Sequence, residues 1–220
     1  MWLQGKRGAW AAVLAAALCA PVWCASAAQA QTPPPAAPVA TQPPARAAAA
    51  RGRGAIRVMT LTSPAFIDGG QMPAKHAQQG RDVSPALSWS GAPDSTQSFV
   101  LIMHDADAAI GDGIDDLLHW MVWNIPGTAT SLAEGIPQGA PAGMNLRQIS
   151  GTGPYYRGPS APASGPAHHY LFELYALDVP LSVAAVGAAP PATRAAVMAA
   201  MATHIRGKGV LVGLYRRPAP

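Results

Sequence analysis

Five side chains in this sequence could work as one unit: Asp105, Asp107, His119, His168 and Tyr170. A carboxylate that accepts an imidazole N–H holds the ring in orientation and favours its protonated form. Two partly charged imidazoles and a phenol would then point donors into one small space, which suits an oxyanion such as phosphate or carboxylate. Neighbouring glycines would let backbone N–H groups join them. The same residues admit a second chemistry, with Asp105 and His119 as a general-base pair for proton transfer or hydrolysis. No Ser or Cys stands in an activating context and no metal-ligand spacing is present, so no covalent nucleophile, metal or other cofactor is expected. His104 reads as structural. Asp112, Asp115 and Asp116 match no calcium-loop spacing and read as solvated charge.

Such a cluster needs strands to bring it together. Residues 98–103 are an apolar run, too short for a free-standing helix and too apolar for a surface strand, which predicts a central strand. It runs into His104-Asp105-Ala106-Asp107. After a loop rich in Asp and Gly, residues 118–124 are again apolar, which sets His119 beside the core and makes Trp120 and Trp123 core residues. Every second side chain of a strand shares a face, so His168 pairs with Tyr170, and Asp105 with Asp107 if the strand continues through them.

The remaining elements follow from local pattern. Residues 56–61 predict a first strand, and 62–85 a loop with one short strand. Residues 84–90 predict a strand with Leu87 and Trp89 on one face, followed by a turn at 91–94. Residues 133–166 read as mostly loop, and 169–177 as an aromatic strand. An amphipathic helix is predicted over 191–205, with Pro191 near its start, and a closing strand over 210–215. Many strands with one late helix imply a mainly β domain.

The first 30 residues carry a basic start (Lys6, Arg7), an apolar stretch over 9–18 and the small-x-small run Ala28-Gln29-Ala30, the pattern of a secretory signal peptide. An uncleaved anchor is the alternative. Both cysteines, Cys19 and Cys24, fall inside it. Bulky residues precede each where a lipid-attachment signal has small ones, so cleavage rather than lipid anchoring is expected. The mature chain would hold no cysteine, which excludes disulfides, thiol chemistry and Cys-ligated zinc. Residues 31–54, Pro and Ala with Arg46, Arg51 and Arg53, cannot bury a core and read as a disordered or polyproline linker. Residues 55–220 are one domain's worth of chain. The sequence pI of about 9.4 is misleading: without Lys6 and Arg7, 13 basic residues face 11 acidic ones. That balance is no footprint for nucleic acid.

Ser84-Pro85 with Leu87-Ser88-Trp89, His104-Asp105-Ala106-Asp107-Ala108, His119-Trp120-Met121-Val122-Trp123-Asn124-Ile125-Pro126, Tyr156-Arg157-Gly158-Pro159 through Pro162 to His168-His169-Tyr170, and Leu174-Tyr175-Ala176-Leu177-Asp178 together resemble the phosphatidylethanolamine-binding protein family in its bacterial branch, the family of the Raf kinase inhibitor proteins. The resemblance spans nearly all of 56–216. It implies a β-sandwich-like domain with a large central antiparallel sheet, a few peripheral helices, and a small pocket for phosphate-type anions and phospholipid head groups. It further implies that Asp105 and Asp107 match the aspartates of an Asp-Pro-Asp motif. His119 matches a pocket histidine, and His168 and Tyr170 match a His-Arg-Tyr motif. Ser160 and Pro162 fall in a Gly-Pro-x-x-Pro rim loop. Three positions depart from the pattern. Ala106 replaces the proline between the aspartates, Leu117 stands where a Trp often precedes the histidine, and His169 takes the place of an Arg.

The expectation is therefore an exported, periplasmic or secreted, small-ligand binding protein with an anion pocket, touching membranes only peripherally. Modulation of a partner protein, not identified by the sequence, is an open addition, and a small Asp/His enzyme is the alternative. Kinase inhibition is not carried over, because a fold does not determine a function.

Overall fold

The computed structural model describes residues 55–111, 113, 115–139, 146–184 and 190–219. The expected signal peptide and linker, and Asp112, lie outside the described residues. Within them the elements run β1 (Arg57–Val58), β2 (Thr60–Thr62), β3 (Gly70–Gln71), β4 (Leu87–Ser90), β5 (Ser98–Ile110), β6 (Asp115–Pro126), β7 (Ser131–Leu132), β8 (Arg147–Ile149), β9 (His168–Leu177), α1 (Pro190–Met201) and β10 (Ile205–Tyr215). The fold is mainly β, as the pattern of short apolar runs implies. The larger sheet has the order β1-β10-β9-β5-β6-β8, with β3 also on β10, and the smaller sheet is β2-β4-β7. Pairing through β10-β9-β5-β6-β8 is antiparallel, while β1 and β3 join β10 in parallel, so the large sheet is mixed at one edge.

The strand expected over 56–61 is two pieces, because Met59 turns inward between them and the chain passes from the large sheet to the small one. The two central strands reach further than their apolar runs, since β5 and β6 continue past the core as a hairpin. The region expected to be mostly loop contributes β8, and β7 lies just before it; both are too short to show a period.

Alternation along β5 divides the core. Phe99, Leu101 and Met103 face the small sheet with Leu61, Leu87 and Trp89, where Trp89 meets Phe99 edge-on at 5.4 Å. Val100 and Ile102 face the other way, toward Val197 and Met201 of α1. The helix starts with two prolines, which tolerate the first turn because its N–H groups have no partner there. It buries Thr193, Val197 and Met201, one every four residues.

Two irregularities in β6 keep both layers filled. Phe99 lies opposite Ile125 but Leu101 opposite Val122, and Met103 lies opposite Trp120 but His104 opposite Leu118. Each step leaves one extra residue on β6, the mark of a β-bulge. At the first, Asn124 adopts a left-handed φ of 58°. Its side chain exchanges two hydrogen bonds with the backbone of Leu181, both 2.8 Å. The extra residue of the second is His119. Because of it, Leu118 turns toward the helix side while Trp120 turns toward the small sheet.

The helix-side face also carries charge. His104 Nδ1 lies 2.6 Å from Asp116, which pairs with Arg194 of α1 at 2.6 Å, and His104 Nε2 lies 3.5 Å from Glu173. Glu173 in turn pairs with Lys208 at 2.5 Å. His104 is structural, as expected. Asp116 is not the solvated charge its loop suggested, because folding places it between an imidazole and a guanidinium. The Glu173 carboxylate raises the His104 pKa above its ordinary 6.5 against the opposing effect of burial. His104 chiefly, with Lys208 and Tyr175, holds Glu173 down to about 2.

A depressed carboxyl contributes stability that is present above its ordinary pKa of 4.5 and lost as pH falls toward about 2. A raised histidine contributes stability that is present below 6.5 and lost as pH rises through its folded value. Urea unfolding of wild type and Glu173→Gln should therefore differ most between about pH 4.5 and 6.5, with the gap narrowing on both sides. A gap independent of pH would show that the row of charges contributes nothing through ionisation.

Candidate functional site

The register between β5 and β9 places Asp105 directly opposite Tyr170. His168, two residues before Tyr170, shares its face. The bulge in β6 turns His119 onto that same side, where its ring meets Tyr170 edge-on at 5.0 Å. Asp105, His119 and Tyr170 are buried, at 3%, 1% and 0% exposure, and His168 is half-buried at the edge. The structure thus brings four of the five sequence candidates into one cluster.

Asp105 is its hub. The carboxylate accepts the His168 Nδ1–H at 2.9 and 3.1 Å, and the backbone N–H groups of Asp107 and Ala108 at 3.0 and 3.1 Å. A buried carboxylate needs such donors, because an unpaired charge out of water is prohibitively costly. Tyr170 Oη accepts the N–H groups of Ser160 and Ala161, both at 3.2 Å. Burial first, and the Asp105 charge second, push the phenol pKa well above its ordinary value, so the hydroxyl keeps its proton and remains a donor.

Asp107 goes elsewhere. It is exposed, and its carboxylate accepts both the backbone N–H of His169, at 2.6 Å, and its Nδ1–H, at 2.9 Å. The His169 backbone chiefly holds its pKa below the ordinary value. Asp107 therefore contributes its backbone N–H to the cluster and uses its side chain to tie β5 to the start of β9. Ser160 likewise enters through its N–H, and Pro162 is exposed two residues beyond.

His119 departs most from the expected chemistry. Its Nδ1 lies 2.8 Å from the carbonyl of Arg157 and 3.0 Å from that of Gly158, so Nδ1 must be the donor. Burial lowers its pKa and makes the ring neutral, against the smaller raising effect of Asp105. Nε2 is then an acceptor, and it is buried without a hydrogen-bond partner. An unsatisfied buried acceptor costs about 1–3 kcal/mol. The Asp105–His119 base pair is not formed as a hydrogen bond: the carboxylate holds His168, and His119 is held by main-chain carbonyls. His76 Nε2 is also unpartnered, but the charges acting on that ring are those of Lys75 and Glu134, whereas Asp105, Arg157 and Tyr170 surround His119.

The loop that carries those carbonyls is fastened at many points. Arg157 donates its N–H to the carbonyl of His119 at 3.1 Å, a bond made available by the bulge. Gly158 N–H donates to Asp82 at 2.6 Å, and Gln78 Nε2 donates to the Gly158 carbonyl at 2.7 Å. Arg217, beyond β10, donates to the carbonyls of Ser160 and Ala161 at 3.3 and 3.2 Å. None of Gln78, Asp82 and Arg217 was legible as part of the site, since each comes from a distant loop or terminus with no motif around it. His169 was noted only as a substitution. Its place in the strand was the available signal, because it adjoins His168 on the opposite face.

Among the described residues no group of three or more His, Cys, Asp or Glu side chains is placed to hold a metal ion. A cavity of about 590 Å³ lies between α1 and the β5–β6 hairpin, lined by residues that include Leu117, Leu118, Asp116, Arg194 and Met198. Its Asp116 and Arg194 already neutralise one another. It offers room but little directed chemistry, and the candidate site is placed at the Asp105 cluster.

A Cβ on residue 158 would lie 2.0 Å from the His76 carbonyl and 2.8 Å from Asp82. Gly158→Ala must therefore displace the loop, at a cost of about 1–3 kcal/mol by denaturant unfolding, and release His119 Nδ1 from its carbonyls. Unchanged stability with an unchanged His119 tautomer by NMR would show that the loop does not position the ring.

Residues 62–216 match the family model described as phosphatidylethanolamine-binding protein. A relative in Methanothermobacter thermautotrophicus, named a UPF0098 protein, is 37% identical over 165 residues, covering 72% of this chain and 99% of its own length. The crystal structure of the phosphatidylethanolamine-binding protein homologue CT736 from Chlamydia trachomatis is similar with a TM-score of 0.60 at 32% identity, covering 73% of this chain and 99% of that one. Escherichia coli YbcL, described as a member of the mammalian family, aligns with a TM-score of 0.59 at 25% identity, covering 72% and 98%. With its site assembled on the mixed sheet and this agreement over one whole domain, the chain belongs to the phosphatidylethanolamine-binding protein family, a membership that points to ligand binding.

Proposed function

We propose that this chain captures a small ligand bearing a phosphate-type anion, phospholipid head groups included, at the cluster of Asp105, His119, His168 and Tyr170, and that it does so in the periplasm or outside the cell. The observation that carries the reading is His119 Nε2, a buried polar atom without a protein partner beside an Asp105 carboxylate and a Tyr170 hydroxyl that are both hydrogen-bonded. Such an atom is accounted for by something that binds there. Tyr170 keeps its proton beside the ring, the Ser160 and Ala161 N–H groups that now bond its oxygen would be released to an anion if the rim moves, and Arg157 supplies a nearby positive charge that makes no ion pair among the described residues. Export rests on the signal-peptide pattern over 1–30.

Asp105, His119 and Tyr170 are buried, so in this reading a ligand enters by displacing the Ser160–Pro162 rim, which Arg217 straps. Catalysis by an Asp105–His119 pair is not favoured, because the pair is not hydrogen-bonded and Nδ1 of His119 is already committed.

The test is an NMR titration of the full chain with inorganic phosphate, phosphoethanolamine and glycerol, following the ring signals of His119 and His168. Saturable shifts with the two phosphates and none with glycerol are expected. Absence of shifts at millimolar phosphate would refute the reading. Arg217→Ala should speed ligand entry and release together, because the strap is cut while the cluster is untouched. Rates unchanged by that substitution would mean the ligand enters elsewhere.

A further inference from the structure

The cluster contains a contradiction that an arriving anion must resolve. His119 Nδ1 is fixed as the donor by two carbonyls, at 2.8 and 3.0 Å. A neutral imidazole has one N–H, so Nε2 presents a lone pair. A lone pair cannot hydrogen-bond to an oxyanion, and no protein group bonds Nε2.

The charged and titratable groups facing the ring make the same point. Asp105 approaches from β5 with His168 of β9 on its far side, Tyr170 comes from β9, and Arg157 comes from the loop on which Nδ1 rests. The Asp105 charge favours a protonated ring and Arg157 opposes it, while burial, the largest effect, favours the neutral ring. Tyr170 keeps its own proton. A second negative charge entering beside the Asp105 carboxylate would tip this balance, because it adds the attraction that a buried imidazolium lacks.

Resting on the reading that this cluster takes a phosphate-type anion, we propose that the site binds its ligand together with one proton, held between His119 Nε2 and a ligand oxygen. A phosphodiester brings no proton, so one comes from solvent onto Nε2, and the complex is an imidazolium facing a monoanion. A phosphomonoester is a dianion above its second pKa, near about 6. It too gains one solvent proton on the same N···O contact. No bond to phosphorus forms or breaks. The ligand class is therefore a phosphoryl group carrying a single negative charge in the complex, and affinity is coupled to pH. Above the pH at which the free partners have lost that proton, affinity falls by about tenfold per pH unit.

The experiment uses the full chain and dimethyl phosphate, whose charge is constant across the range, so any pH dependence belongs to the protein. Calorimetry at about pH 8 in two buffers of different ionisation enthalpy should report uptake of nearly one proton per ligand bound. Nitrogen-15 NMR should show His119 Nε2 changing from unprotonated to protonated on binding. Affinity should drop about tenfold per unit above pH 7. His119→Gln, which offers an amide N–H that does not titrate, should abolish that slope, and a slope that survives overturns the inference. Binding without proton uptake, or uptake located on His168 instead, likewise overturns it while leaving anion capture standing. No saturable binding of either dimethyl phosphate or inorganic phosphate at any pH overturns the anion reading and this inference with it.

Discussion

The site depends on keeping the carboxylate of Asp105 charged and out of water. At 3% exposure it has almost no solvent to lean on, so its four close donor contacts must come from protein: two to the His168 ring and one each to the N–H groups of Asp107 and Ala108. Those requirements organise what surrounds it. β5 must bend its hairpin end back over its own carboxylate, and β9 must arrive in a register that places His168 within reach. Tyr170 must sit alongside with its hydroxyl held by the Ser160–Ala161 backbone. A buried, fully bonded charge of this kind adds little net stability, but removing one partner is costly, which makes the arrangement specific.

The second constraint is the bulge at His119. A regular strand would alternate Leu118, His119 and Trp120 across the sheet and would send either the imidazole or the indole to the wrong layer. One extra residue lets both face the small sheet and leaves the backbone of His119 free to bond Arg157. The ring is then oriented by main-chain carbonyls, not by a carboxylate, and that choice of partner fixes which nitrogen carries the proton. The polarity of the site follows from a backbone irregularity.

The opposite face of the same sheet is organised by different means. There the row from Arg194 through Asp116, His104 and Glu173 to Lys208 spans α1 and four strands. Adjacent residues of β5, His104 and Asp105, thus serve opposite layers, one fastening the helix and the other anchoring the proposed binding cluster. A rigid strand between them gives each a firm base, since side chains on a central strand are held from both faces.

Much of this was legible in the chain itself. The apolar run into His104-Asp105-Ala106-Asp107, the second run around His119 and the His168-x-Tyr170 spacing are local signals, because strand period and burial are written in neighbouring residues. They were enough to name the central strands, the mainly β class and four of the five side chains first grouped together. What only the tertiary structure decided is how those residues are partnered. That Asp107 turns to His169, that Asp116 is ion-paired, that His119 is held by Arg157 and Gly158, and that Asp82, Gln78 and Arg217 secure the rim all depend on contacts between segments far apart in sequence. No local pattern encodes a tautomer or a bulge register, because both are set by which distant carbonyl or N–H is left unpaired once the sheet has closed.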